Sequence, residues 1–368
     1  MNGIHELMKE TMAYRDSGFF REWCSNMKRK PVMKRCLLGT SELEISTIGL
    51  GTWAIAGPGW EFGWGAQEDA DSLATLEYAV DQGVNWIDTA AVYGLGHAET
   101  VVGQLLKRLP QSRRPLVFTK GSLVWDEKTR EITHSLSPAS LRREVEDSLR
   151  RLGTEAIDLY QIHWPSFPPG GPDEGLEDAL LALHHLKAEG KIRAIGVSNF
   201  DVPQLNRALA VTSIASLQPP YSALMRDVET EILPFCAAMD IGVLPYSVLQ
   251  SGLLSGKMTN ERIQALPDDD WRKTRSADFQ EPRLSQCLKL VDVFRQIAER
   301  HRVTPAAIAI AWVLRRTEVT GAILGARRPD QVDDLLRGAE IQLTAAEIAL
   351  IAPSLPTGTG TNVPDSQS

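Results

Sequence analysis

The chain has 368 residues, 43% of them hydrophobic, and its 39 basic and 47 acidic side chains leave a net charge of −8. That length suits one barrel-type domain, and the negative balance speaks against a nucleic-acid partner and against an anionic membrane surface. No apolar run reaches the ~20 residues of a membrane span, and Cys24, Cys36, Cys236 and Cys287 lie too far apart for a CxxC pair or a zinc signature, so free thiols in a reducing compartment and no metal site are expected.

The N-terminus has neither an apolar core nor a small-residue cleavage site, and Glu6, Glu10, Asp16 and Glu22 interrupt it. A cytoplasmic protein is therefore expected. Residues 1–33 read as a peripheral or mobile extension. Ile4, Leu7, Met8 and Met12 share one helical face, a basic cluster follows at Lys28, Arg29 and Lys30, and Met33 opens what looks like a fresh start. From residue 34 to 353 two periods alternate. Short β-branched runs predict strands at 46–50, 85–89, 116–119, 156–162, 192–197, 216–218, 242–245 and 321–324. Between them, helices are predicted at 69–81, 99–108, 138–151, 176–187, 202–209, 229–239 and 329–336. Ser137 ahead of Pro138, and Asp201, mark two of the helix starts. Residues 257–286 are polar and irregular and read as a long loop, followed by two extra helices at 288–300 and 305–315. The Gly/Thr/Pro/Ser-rich end, 354–368, reads as a mobile tail. Eight strand–helix units predict a single-domain α/β fold, a closed (β/α)8 TIM barrel with extra helices before the last strand and a helix at the C-terminal end.

Gly49–Ala54 fits a dinucleotide-binding glycine pattern, but that pattern needs a helix opening directly behind it. Here Gly57, Pro58 and Gly59 follow, so a Rossmann site is not expected. The ends of the predicted strands are more telling, because barrel enzymes place their chemistry there. Strand two runs out into Asp88 and Tyr93, strand three into Lys120, and strand four into His163. A phenol with a pKa near ~10 is a weak acid at neutral pH, and a neighbouring ammonium lowers that value. Asp88 would hold Lys120 in place and keep it charged. His163 would hydrogen-bond a substrate carbonyl or help pass the proton. Such a set suits a carbonyl that takes hydride at carbon and a proton at oxygen.

The stretches IGLGTW, WIDTAAVYG, VFTKG, SLRRLGTEAIDLYQIHWP, GKIRAIGVSNF, LPYSVLQSGLLSGK and AILGARRPDQVDDLL, in this order, resemble the aldo-keto reductase superfamily. The resemblance runs from about residue 37 to 350 and leaves only the two ends uncovered. It implies that Asp88, Tyr93, Lys120 and His163 form the family's catalytic tetrad, with Tyr93 as proton donor. It implies an NADP(H) cofactor, preferred over NAD(H). Thr52, Trp53 and Asp88 would border it, and Ser198, Asn199 and Gln218 would hydrogen-bond the nicotinamide carboxamide. Tyr246 would stack on the ring. Ser247, Leu249, Ser251, Gly252 and Lys257 would line the pyrophosphate, and Gly325, Arg327, Gln331 and Asp334 would receive the adenosine end. One departure stands at Pro219–Pro220, where relatives carry an Asn-led run after the glutamine.

The loops are rich in tryptophan, so Trp53, Trp60, Trp125 and Trp164, with Tyr93 and His163, are expected to wall an aromatic substrate site, and Trp64 lies in the same region. The substrate is a small carbonyl compound. Two other functions fit the same residues: a cofactor-sensing regulatory subunit, and an alcohol dehydrogenase working in the oxidative direction.

Overall fold

The computed structural model describes residues 33–58, 60, 62–266, 270–274 and 276–356. The predicted extension at 1–32, its helical face and basic cluster, and the tail from 357 onward lie outside the described residues.

Eight parallel strands make the central sheet: β3 (Ile48–Gly51), β4 (Trp86–Asp88), β5 (Leu116–Gly121), β8 (Ile157–Ile162), β9 (Ile192–Ser198), β10 (Ser216–Gln218), β11 (Gly242–Val243) and β12 (Ala322–Gly325). Their order is β11-β10-β9-β8-β5-β4-β3-β12. The sheet then closes on itself. Thr320 N–H donates to the Val243 carbonyl and Ile323 N–H to the Pro245 carbonyl, each at 2.9 Å. A closed sheet leaves no edge strand, and the predicted barrel is what forms.

An antiparallel hairpin, β1 (Arg35–Leu37) with β2 (Glu44–Ser46), precedes the barrel. Its residues Leu38, Leu43 and Ile45 are buried in one cluster with Trp86, Phe118, Leu159, Leu244 and Ile323 from the strands. The predicted strand at 46–50 is thus two strands broken at Thr47, the first belonging to this hairpin. The rejected glycine motif has a packing role: a methyl group on Gly49 would stand 2.2 Å from the Trp86 ring. Behind the motif the described residues form a three-residue 3-10 turn, Trp53–Ile55, and among them no α-helix opens between that turn and α1 (Asp69–Asp81).

Helix starts follow the local chemistry. Ser137 Oγ accepts from the Ser140 amide at 3.2 Å ahead of α3 (Pro138–Leu152), and Asp201 forms a reciprocal cap with Gln204 ahead of α5 (Val202–Val211); α2 (His97–Arg108) and α4 (Leu176–Ala188) stand between. The predicted helix at 229–239 is a 3-10 turn, Asp227–Glu229, followed by the short α6 (Ile232–Ala238). The predicted loop at 257–286 carries α7 (Asn260–Gln264), α8 (Trp271–Thr274) and the first turn of α9 (Arg283–His301). Buried Asp278 anchors it by accepting from Gln250 Nε2 at 2.6 Å and from Arg283. Then come α10 (Pro305–Leu314), α11 (Pro329–Arg337) and α12 (Ala345–Ile351). A second hairpin, β6 (Leu123–Trp125) with β7 (Ile132–His134), rises from the end of β5.

No helix among the described residues is long and apolar enough to cross a membrane, and none of their His, Cys, Asp or Glu clusters has the makings of a metal site.

Candidate active site

A cavity of 590 Å³ opens at the C-terminal ends of the barrel strands. Asp88, Tyr93 and His163 reach it, with Lys120 directly beneath. Lys120 is buried, and its Nζ donates to Asp88 Oδ1 at 2.6 Å, to the Thr89 carbonyl at 2.9 Å and to Tyr93 Oη at 3.2 Å. An ammonium has three N–H bonds and no acceptor, so all three are spoken for. Tyr93 Oη therefore accepts from Lys120, and its own O–H is left to point elsewhere. The other oxygen of Asp88 accepts from Gln218 Nε2 at 2.9 Å and from Gln161 Nε2 at 3.4 Å. The His163 ring meets Tyr93 edge-on at 5.7 Å. Among the described residues its ring has no hydrogen-bond partner, and its Nδ1 is buried.

Burial governs the charges here. It raises the Tyr93 phenol well above its ordinary value of 10.0, and the Asp88 charge adds to the effect. The lowered phenol pKa expected from Lys120 is thus not what the site shows, because desolvation disfavours phenolate more than one ammonium favours it. Burial likewise pulls Lys120 below its ordinary value, while the Asp88 carboxylate works against that shift. His163 is held well below 6.5 by burial and then by the Lys120 cation.

The aromatic wall is largely as expected. Trp53, Trp60, Trp64 and Trp164 line the cavity with Phe62 and Phe167, and Trp53 lies 5.2 Å from both Trp60 and Tyr93, centroid to centroid. Trp125 is a correction. It does not line the cavity, and Arg151 sits over its ring at 5.8 Å; Leu123 and Ile132 of the second hairpin take the place expected of it.

Further along, the cavity reaches the residues predicted for a dinucleotide. Asn199, with φ of 64°, donates to the His163 carbonyl at 2.9 Å and to Ser198 Oγ at 3.0 Å, and accepts from Tyr246 Oη at 2.8 Å. Ser198 Oγ donates to the Gln218 carbonyl at 2.8 Å. Much of the polar capacity expected for a carboxamide is thus already engaged in holding these residues still, while Gln218 Oε1 accepts no bond from the protein. Ser247, Gln250 and Ser251 all have left-handed φ, followed by Gly252 at 90°. Such conformations are costly outside glycine and persist where they serve a site. Among the described residues the backbone amides of Leu249 and Ser251 donate to no backbone acceptor, and Lys257 stands on the same rim. Gly325, Arg327, Gln331 and Asp334 line the far end. The Pro219–Pro220 departure is absorbed by the fold: the Pro219 carbonyl accepts from Tyr246 N–H at 3.1 Å.

The sequence also matches the model of the Aldo/keto reductase family over residues 47–355. The chain belongs to that family. It is 34% identical over 328 residues to the NADH-specific methylglyoxal reductase of Escherichia coli K12, covering 87% of this chain and 97% of that protein. Among solved structures, the glycerol dehydrogenase AKR11B4 of Gluconobacter oxydans superposes with a TM-score of 0.77 at 38% identity, covering 89% and 95% of the two chains. An aldo/keto reductase from Klebsiella pneumoniae in complex with NADP and acetate gives 0.65 at 27%, covering 89% and 98%. The chain is thus a carbonyl oxidoreductase of a family that works with nicotinamide cofactors.

Residues of this reductase that the sequence reading passed over include Gln161, Phe62, Phe167 and Gln67, besides Leu123, Ile132 and Arg272. Gln161 stands on β8, two positions before His163, which follows directly on the strand's last residue, so a period of two puts both on one face. That alternation was there to be read. The two phenylalanines and Gln67 sit in irregular loops, where no periodicity points at the site.

Proposed function

We propose that this reductase converts an aldehyde or ketone to the alcohol with NADPH, Tyr93 delivering the proton. A bound reduced nicotinamide supplies the hydride. The residues present suit such a cofactor: the left-handed run at 247–252 offers unpaired amides to a pyrophosphate, and the cavity continues unbroken to Arg327. Ser198, Asn199 and Gln218 would meet the carboxamide, Tyr246 the ring face, Lys257 the pyrophosphate, and Arg327, Gln331 and Asp334 the adenosine with its 2′-phosphate. An arginine grips such a phosphate through paired, charge-assisted hydrogen bonds.

The observation that carries the reading is the fixed direction of the Lys120–Tyr93 hydrogen bond, 3.2 Å from Nζ to Oη. With the ammonium donating, the phenol proton is aimed into the cavity. As Tyr93 gives that proton to the carbonyl oxygen, the phenolate left behind lies beside Lys120 and is stabilised there. His163, neutral and without a protein partner, holds the same oxygen by hydrogen bonding. Trp53 and Trp60 pack against the phenol and keep water from it. The test is Tyr93→Phe, which keeps the ring and removes the donor. Carbonyl reduction falls about 10²-fold or more, while NADPH binding, followed by fluorescence, stays within a few-fold of wild type. Near-normal turnover in that variant would rule out Tyr93 as the donor.

A further inference from the structure

Three guanidinium groups gather where the adenosine end of the cavity meets solvent: Arg272, Arg327 and Arg328. Two have carboxylate partners. Arg272 pairs with Asp270 at 2.6 Å and lies over the Trp64 ring at 5.3 Å. Arg328 pairs with Asp330 at 2.9 Å. Arg327 has no carboxylate partner among the described residues. Its Nε donates to Gln67 Oε1 at 2.6 Å, one terminal nitrogen to the Trp64 carbonyl at 3.1 Å and the other to the Ala66 carbonyl. Gln67 closes the ring by donating from Nε2 to the Arg327 carbonyl at 3.0 Å, across 260 positions of sequence.

Every acceptor on this guanidinium is neutral, so its charge is not cancelled. Burial, then the cations of Arg272 and Arg328, hold its pKa below the ordinary value, as befits a cation without a counter-ion. A guanidinium has five N–H bonds. Three are used, which leaves one on each terminal nitrogen, and a phosphate accepts such a pair side by side. Fixing a long, rotamer-rich side chain before the ligand arrives reduces the ordering cost of binding. A carboxylate at position 67 would still accept from Arg327 Nε, but it would lose the bond that Gln67 Nε2 donates to the Arg327 carbonyl and would neutralise the charge.

We infer that Gln67 is a positioning residue that sets cofactor specificity: it fixes Arg327 with an uncharged acceptor and so favours the 2′-phosphorylated nicotinamide cofactor. This rests on Arg327 reading that phosphate, as proposed above.

The experiment uses the full-length protein and the variants Gln67→Glu, Gln67→Leu and Arg327→Ala. It measures kcat/KM for NADPH and NADH with one carbonyl substrate, and calorimetric dissociation constants for adenosine 2′,5′-bisphosphate and adenosine 5′-phosphate. Arg327→Ala weakens NADPH and the bisphosphate about tenfold or more and leaves NADH and the monophosphate nearly unchanged. Gln67→Glu does the same, because the charge is cancelled in place. Gln67→Leu gives a smaller loss, several-fold, again confined to the 2′-phosphorylated ligands. Should Arg327→Ala change the selectivity while both Gln67 variants keep the wild-type ratio, the role of Gln67 is overturned and the phosphate reading stands. Equal weakening of NADH and NADPH by the Gln67 variants would make its role merely structural and also overturn it. If Arg327→Ala leaves the ratio as it was, the phosphate reading itself falls, and this inference with it.

Discussion

His163 shows how burial, rather than residue type, assigns a role. An imidazole in water titrates near ~6.5 and serves as a proton carrier. Here burial and the Lys120 cation hold its pKa well below that value, which leaves it hydrogen bonding, in keeping with the proposal that the phenol supplies the proton. The pH profile of carbonyl reduction should therefore show no limb near the ordinary histidine value of about 6.5. A limb near that value that disappears in His163→Gln would show that the imidazole titrates in turnover after all. Stability follows the same shift with a definite sign. As pH falls through ~6.5, the unfolded imidazole takes a proton that the folded one refuses, so the folded state loses stability on acidification. His134, whose pKa is also lowered by burial, adds to the slope. The four residue types of this site were legible at the strand ends, because barrel architecture says where to look. Their protonation states were not, because sequence gives neither depth of burial nor which hydrogen bond runs in which direction. Lys120 was expected to make Tyr93 more acidic, and the surrounding apolar rings reverse that balance.

At the scale of elements, legibility tracked local chemistry. The helix Asp69–Asp81 and the strand Ser216–Gln218 have the predicted bounds, since apolar period and flanking residues agree there. The two hairpins were missed because their three-residue strands are only partly buried and lie outside the strand–helix alternation, whereas the equally short Ser216–Gln218 is buried throughout and takes its place in it. The first of them fixes the floor of the barrel, and Gly49 shows how tightly. Its missing side chain leaves the space that the Trp86 indole fills, and Trp86 is itself held by a 2.8 Å bond from Nε1 to the Ser46 carbonyl. The indole is hemmed in by Phe118, 5.0 Å away, and by Leu43 and Ile45, so it has nowhere to move. Gly49→Ala should destabilise the barrel by about 1–3 kcal/mol or more, as overpacking does. A thermal or urea melt reads this directly. A variant that melts with the wild type would mean that the floor repacks freely and that the glycine serves something other than close approach.

For the whole molecule, the cavity is built by early and late parts of the chain. Its tetrad end rests on β4, β5 and β8, while its adenosine end rests on β12 and the start of α11, and β12 pairs with β3 to close the sheet. A dinucleotide lying along this cavity would bridge early and late parts of the chain, all of which must be folded for it to bind. Binding to the folded state alone stabilises by about 2.7 kcal/mol at a hundredfold excess over Kd. For a barrel of roughly 320 residues, with an unfolding entropy of about 2.1 cal/mol/K per residue, that is a rise of about 4 °C in Tm. The rise should separate by ligand half. On the proposed reading, adenosine 2′,5′-bisphosphate would touch only the Arg327 end and nicotinamide mononucleotide only the tetrad end, so at equal concentration each should raise Tm less than intact NADPH. In Arg327→Ala the NADPH rise should shrink to that given by NADH, because the two cofactors then differ by a phosphate that nothing grips. Melting curves with each ligand decide the matter. If NADPH at a millimolar level leaves Tm where it was, the cavity is not a dinucleotide site. If Arg327→Ala keeps the full NADPH rise, the phosphate is bound elsewhere along it.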